Sequence, residues 1–97
     1  MVTYIALASF TDQGIKNIKE TTKRADAVKE MGTKFGVNMK EIYWTLGQYD
    51  LMVMLEAPDE AAITAFGLSI AAAGNVRMQT LRAFSKDEMN TILDKMA

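Results

Sequence analysis

The chain contains no cysteine and no histidine. Without cysteine there are no disulfides, thiolate nucleophiles, Cys-ligated zinc sites or iron–sulfur clusters. Without histidine there is no imidazole acid–base catalysis, no Ser-His triad, no His-ligated metal and no ordinary haem ligation. Any chemistry must run on carboxylates, tyrosines, lysines or arginines, or be carried by a bound cofactor, and the residues themselves call for neither cofactor nor metal. An excess of charge is missing too. Eleven basic residues face 12 acidic ones for a net charge of −1, so no long-range field draws in nucleic acid or an anionic membrane. A single proline, no low-complexity tract and 49% apolar residues exclude a disordered chain. Long hydrophobic runs are absent as well. The run 2–10 lacks a basic leader and ends at Thr11-Asp12, unlike a signal peptide. The nearly uncharged run 61–76 is too short and too rich in Gly, Ser and Thr to span a bilayer. These features predict a soluble cytoplasmic protein forming one domain over residues 1–97.

What is present is a regular alternation of strand and helix signals. Val2 to Phe10 reads as a first strand, rich in β-branched and aromatic residues and stopped by Thr11-Asp12-Gln13-Gly14. Thr11 or Asp12 is placed to cap a short turn through Ile15 and Ile18. A longer helix is expected from about Thr22, with Ala25, Val28, Met31 and Phe35 on one stripe and Gly36 as its stop. Its basic residues, with Lys16, Lys19, Lys23, Arg24, Lys29, Lys34 and Lys40 outnumbering the nearby acids, read as a solvated face. Residues 37–45 and 49–57 form a hairpin, with Gly47-Gln48 suiting a two-residue turn. Pro58 fits the first turn of a second helix running to Ala73 and ended by Gly74-Asn75. Val76 to Phe84 is a fourth strand. Ser85 to Glu88 is a capping box opening a last helix, with Met89, Ile92, Leu93 and Met96 on one face. The order is β-α-β-β-α-β plus a C-terminal helix, an α+β, ferredoxin-like arrangement with helices on one face of a four-stranded antiparallel sheet.

A sheet with one solvated face alternates apolar and polar residues. Here both faces of strands one and three are largely apolar: Tyr4, Ala6, Ala8 and Phe10 against Ile5 and Leu7, and Met52 and Met54 against Leu51, Val53 and Leu55. A second apolar face of that size predicts a homodimer, sheet against sheet. Gly67 on the second helix is expected to let another helix approach closely. The eight methionines are read as core filler and pliable interface, with Met31, Met89 and Met96 on core stripes.

Two groups of residues are candidates for ligand binding. At the corner, Tyr49 and Asp50 either perform turn chemistry, with Asp50 accepting backbone N–H bonds, or rim a pocket at a subunit interface. On the sheet, placing Ile5, Leu7, Val53 and Leu81 toward the helices puts Tyr4, Tyr43, Met54, Glu56, Thr80 and Arg82 together on the other side. A carboxylate, an arginine and phenols on an apolar face match a small-ligand site, or simply an exposed ion pair. A one-residue slip exchanges Tyr43 and Thr80 for Trp44 and Gln79.

In FTDQGIKNIK (10–19), EIYWTLGQYDLMVMLEAPDE (41–60) and GNVRMQTLRAFSKDEM (74–89), the chain resembles the GYD-domain family, named for a Gly-x-Tyr-Asp signature that stands here at Gly47 to Asp50. Thr21-Thr22 replaces a Ser-Pro helix start common in relatives. The resemblance implies a dimeric α+β barrel and no particular activity. The functional expectation is a non-catalytic small-ligand-binding or oligomerisation module. The alternative is a cofactor-independent enzyme of monooxygenase, isomerase or dehydratase type acting on a small hydrophobic or aromatic substrate. It would use Glu56 as acid or base, Arg82 to hold an anion, and Tyr4 or Tyr43 as donors. Expected partners are further copies of the chain, as a homodimer or a higher homo-oligomer, and a small molecule, with no nucleic acid or membrane.

Overall fold

In the computed structural model, which describes residues 1–97, the strand and helix signals resolve into eight elements. They run β1 (Val2–Phe10), α1 (Asp12–Lys16), α2 (Thr21–Gly32), β2 (Asn38–Trp44), β3 (Leu51–Ala57), α3 (Glu60–Ala72), β4 (Val76–Ala83) and α4 (Lys86–Leu93). Single 3-10 turns lie at Ile18–Glu20 and Thr33–Phe35. All strand pairs are antiparallel, in the order β2-β3-β1-β4. The helix ends follow local chemistry. The Thr11 side chain caps α1 by accepting from the Gly14 N–H, and Ser85 and Glu88 form the expected reciprocal box at α4. Gly36 and Gly74 take the left-handed conformation that ends a helical segment. Pro58 lies just outside α3, which is capped instead by Asp59 accepting from Ala62 N–H at 2.8 Å.

The core lies between the sheet and the helices, where Tyr4, Ala6, Val53, Leu55 and Ala57 meet Ile63 and Phe66 of α3 and Val28 and Met31 of α2. This reverses the expected facing of β1 and β4. Ile5 pairs with Met54 and Leu81 on the open face, whereas Tyr4 pairs with Leu55 and Arg82 on the helix side. Of the residues expected beneath the helices, only Val53 is there. The physical reason is that both faces are apolar, so alternation marks two faces without saying which one the helices cover. On β1 the buried face carries Tyr4, Ala6 and Ala8, and the bulkier Ile5 and Leu7 lie on the open face.

β2 carries an irregularity that its sequence does not announce, although it leaves Tyr43 on the expected face. Its register slips between Met39 and Glu41, so Lys40 is an extra residue and side chains beyond it change faces. Met39 therefore points to the core, Ile42 and Trp44 follow on the same side, and Tyr43 ends on the open face opposite Met52. The turn between β2 and β3 is also wider than two residues. A single backbone bond, Thr45 N–H to Asp50 O at 2.8 Å, closes a loop around Leu46–Tyr49.

Only 13 of the 97 residues are buried, so the chain leaves much apolar surface uncovered. The radius of gyration is 14.6 Å and the longest dimension 51 Å, against about 12.5 Å for a compact chain of this length. Part of the excess is α4, whose apolar stripe lies on no core: Met89 is 43% exposed, Leu93 48% and Met96 70%. Met89 and Met96 are thus not core residues, contrary to the stripe-based expectation, while Met31 is. No helix is long and apolar enough to cross a membrane.

Candidate functional site

The Gly47–Asp50 corner sits where the chain enters β3, and the side chains of Tyr49 and Asp50 reach to different strands. Asp50 donates its backbone N–H to Ala8 O at 2.8 Å and accepts the Phe10 N–H on Oδ2 at 2.9 Å. The carboxylate thus takes over as acceptor one step beyond the last backbone pair of β1 and β3. Asp50 does accept a backbone N–H, but from β1 and not from its own loop. Tyr49 extends over the open face, and its hydroxyl donates to Gln79 Oε1 on β4 at 2.9 Å. At the base, the Thr45 hydroxyl donates to Tyr49 O at 2.6 Å. The tip is free: Leu46 is fully exposed and nothing lies near Gly47, whose φ is +106°. The corner therefore latches three strands together at one end of the sheet.

The remaining candidate residues are not brought into one site. Tyr4 is buried in the core, and no group in the chain hydrogen-bonds its hydroxyl. Tyr43 is exposed on the open face and donates weakly to Glu41 at 3.4 Å. Glu56 shares that face and pairs with Lys40 at 3.5 Å, one third exposed. Arg82 is on the opposite face, at the far end of β4. It stacks on Phe84 with its guanidinium 4.3 Å from the ring centre, bonds the Ala83 carbonyl, and pairs with Glu88 at 3.2 Å. The Ser85 N–H and then Arg82 hold the Glu88 carboxyl below its ordinary range. Arg82 thus sets the direction in which α4 leaves the sheet. Glu56 and Arg82 do not form an acid–anion pair, and Thr80 stands on the helix side with Arg82.

What the open face does assemble is a patch. Ile5, Leu7, Met52, Met54 and Leu81 form its apolar centre, with Tyr43 beside them. Glu41, the Lys40–Glu56 pair, Gln79 and Arg77 surround it. An apolar centre within a polar rim is the anatomy of a protein interface.

A second set of contacts involves residues of the quoted motifs for which sequence reasoning offers no partner. Thr11 donates its backbone N–H to Asn75 O at 3.1 Å and its hydroxyl to Gly74 O. Gln13 donates to Ala73 O at 2.9 Å and Asn75 Oδ1 at 3.0 Å. A Cβ on Gly14 would lie 2.1 Å from the Asn75 carbonyl oxygen, so only glycine fits. These residues stitch the start of α1 to the α3–β4 connection. Their signal is the density of turn and cap residues in FTDQG, readable as a turn but not as a contact with residues about 60 positions away. Trp44 Nε1 similarly donates to the Thr21 hydroxyl at 3.0 Å, tying the end of β2 to the start of α2.

Comparisons with known proteins bear on this arrangement. A family model described as GYD domain matches residues 4–93. The chain is similar to the glutamine synthetase and cystathionine beta-lyase binding protein of Thermus thermophilus, with 34% identity over 84 residues, covering 86% of this chain and 88% of that protein. Among solved structures it is similar to FFRP-DM1, with a TM-score of 0.63, 21% identity, and coverage of 87% of this chain and 100% of that one. It is also similar to TTHA0845 of Thermus thermophilus, with a TM-score of 0.57, 23% identity, and coverage of 88% and 95% respectively. At these identities the two structures speak to the fold alone.

Proposed function

The chain belongs to the GYD domain family, and on that premise we propose that it is a non-catalytic interaction module that pairs with itself and docks on a metabolic enzyme. The observation that carries the reading is the uncovered apolar centre of the sheet, Ile5, Leu7, Met52, Met54 and Leu81, ringed by polar side chains. Two ferredoxin-like copies packed through these faces make a dimeric α+β barrel. Strands of seven to nine residues at about 3.3 Å per residue and about 4.8 Å apart present a face of roughly 26 by 19 Å. That is about 500 Å² per copy and about 1,000 Å² in total, the lower bound for a specific interface. The projecting α4, with Met89, Leu93 and Met96 exposed, supplies further area against the second copy. Its direction, set by Arg82, Phe84 and Glu88, is already fixed in the single chain, which lowers the ordering cost of such a contact.

The relative named for binding glutamine synthetase and cystathionine beta-lyase supports carrying protein binding over to this chain. Glu56 pairs with Lys40 and Arg82 lies across the sheet from it, which supports an interaction role over a cofactor-independent reaction. Size-exclusion chromatography with light scattering tests the proposal in two arms. At micromolar concentration the chain alone should elute at twice its mass or more. Mixed with purified glutamine synthetase or cystathionine beta-lyase from its own source, it should co-elute with at least one. A clean monomer mass refutes the pairing, and separate elution from both enzymes refutes the docking role.

A further inference from the structure

The open face of the sheet is apolar at its centre but unevenly charged at its rim. β4, one edge strand, brings Arg77 and Gln79 to this face and no carboxylate. β2, the other edge, brings Glu41, while Lys40 beside it is already paired with Glu56 of β3. One edge is therefore cationic and the other, in net charge, anionic. Arg77 and Glu41 are both exposed, and neither takes part in any of the chain's three ion pairs. Glu41 has only the weak bond from the Tyr43 hydroxyl at 3.4 Å. Two unmatched charges of opposite sign thus stand on opposite sides of an apolar patch.

The strand register fixes where they stand. Arg77 is level with Ser9, whereas Glu41 pairs with Met54, which is level with Ile5. Four residues along the strands separate the two levels by about 13 Å, and three strand spacings separate the edges by about 14 Å. The line from Arg77 to Glu41 therefore runs at about 45° to the strands. It crosses the middle of the patch, where Leu7 and Met52 pair with each other.

A two-fold axis between two such faces can lie along that line or at right angles to it. Either way the strands of the two sheets cross at nearly a right angle, one of the two ways in which sheets pack face to face. The rim distinguishes them. An axis along the line sets Arg77 on Arg77 and Glu41 on Glu41. An axis at right angles sets each Arg77 on the other copy's Glu41, and an isologous interface makes that contact twice. Like charges across an interface oppose binding, and opposite charges fix its register. The apolar area is only at the lower bound for a specific interface, so the rim decides the orientation.

We propose that the open face is covered by a second copy turned about the axis at right angles to the Arg77–Glu41 line, with two Arg77–Glu41 ion pairs flanking the apolar centre. This orientation rests on the pairing of two sheet faces and names the contacts that select it.

Exchanging the charges tests it. At low salt, Arg77→Glu and Glu41→Arg should each weaken self-pairing about tenfold, because either change sets like charge on like charge at both contacts. Mixed, the two variants regain opposite charges at both contacts, so native mass spectrometry should show the heterodimer in clear excess over both homodimers. The double variant should pair as the wild type does. The absence of cysteine permits a geometric check as well. Arg77→Cys and Glu41→Cys, treated with a short bismaleimide, should cross-link when mixed and not when alone. Cross-linking of either variant to itself puts the residue on its own counterpart and overturns the orientation. A mixture of the charge variants that shows no preference for the heterodimer overturns it too. A wild type that is dimeric but fails these tests leaves the pairing standing and removes the orientation alone. A monomeric wild type removes both.

Discussion

Replacing Asp50 by alanine removes one carboxylate oxygen that holds the Phe10 N–H at 2.9 Å across 40 residues of chain. A hydrogen bond to a charged acceptor contributes about 1.5–3 kcal/mol net. Phe10 and Asp50 are both half-buried, so water reaches the freed N–H and the lower part of that range applies, about 1.5–2 kcal/mol. The backbone bond from Asp50 N–H to Ala8 O survives the substitution, which keeps the loss from spreading along β3. In urea, with a slope near 1.5 kcal/mol per molar for a small domain, the midpoint should fall by about 1 M with the slope unchanged. In thermal unfolding the same loss is roughly 6–16 °C. Asp50→Asn keeps an oxygen in place and should lose about half as much. Protein concentration must be held constant, because a self-associating chain unfolds at a concentration-dependent midpoint. An Asp50→Ala midpoint within about 0.5 kcal/mol of the wild type would refute the latch. It would return Asp50 to the role of a ligand-binding residue.

Gly14→Ala forces a methyl group against the Asn75 carbonyl oxygen, and the backbone must move; a loss of about 2–4 kcal/mol is expected in the same urea titration. Leu7→Lys places a charge at the centre of the open face and should halve the mass seen by light scattering while the circular dichroism of the fold persists. The depressed Glu88 carboxyl stabilises the start of α4 fully above its ordinary value of 4.5 and loses that contribution as pH falls through the lower folded value. Helical ellipticity should therefore drop in that acid window in the wild type, and Glu88→Gln should lack the step.

Element order was legible because every boundary carries its own local chemistry. The Thr11 cap, Gly36, Gly74 and the Ser85–Glu88 box each act within a few residues, and sequence displays such relations directly. Face assignment was not legible in the same way. Ile5 and Leu7 are bulkier than Ala6 and Ala8, yet the alanines lie on the helix side, and with both sets apolar the alternation does not tell the two faces apart. Tyr43 faces outward as expected, but it does so through the extra residue at Lys40, which regular alternation along β2 does not contain. A bulge has no side-chain signature when its neighbours are as mixed as Met39-Lys40-Glu41. The expected set divided because of the facing of β1 and β4 alone: Tyr4 and Arg82 lie on the helix side, while Tyr43 and Glu56 stay on the open face as expected. Tyr49 and Asp50 were correctly read as corner residues, but their partners Gln79 and Phe10 lie 30 and 40 positions away. Distances of that kind are decided by sheet order, which no local pattern contains.

The corner divides into an anchored base and an idle tip, and that division makes it a usable splice point. Thr45, Tyr49 and Asp50 hold the two ends of the loop in place, while Leu46, Gly47 and Gln48 touch nothing that depends on them. Lengthening a loop whose ends are already fixed costs little, about 0.6 kcal/mol for each doubling. A short flexible peptide inserted between Gly47 and Gln48 should leave the latch and both faces of the sheet undisturbed. The segment that identifies the family is thus also the place where the chain would best tolerate an epitope, a fluorophore or new termini.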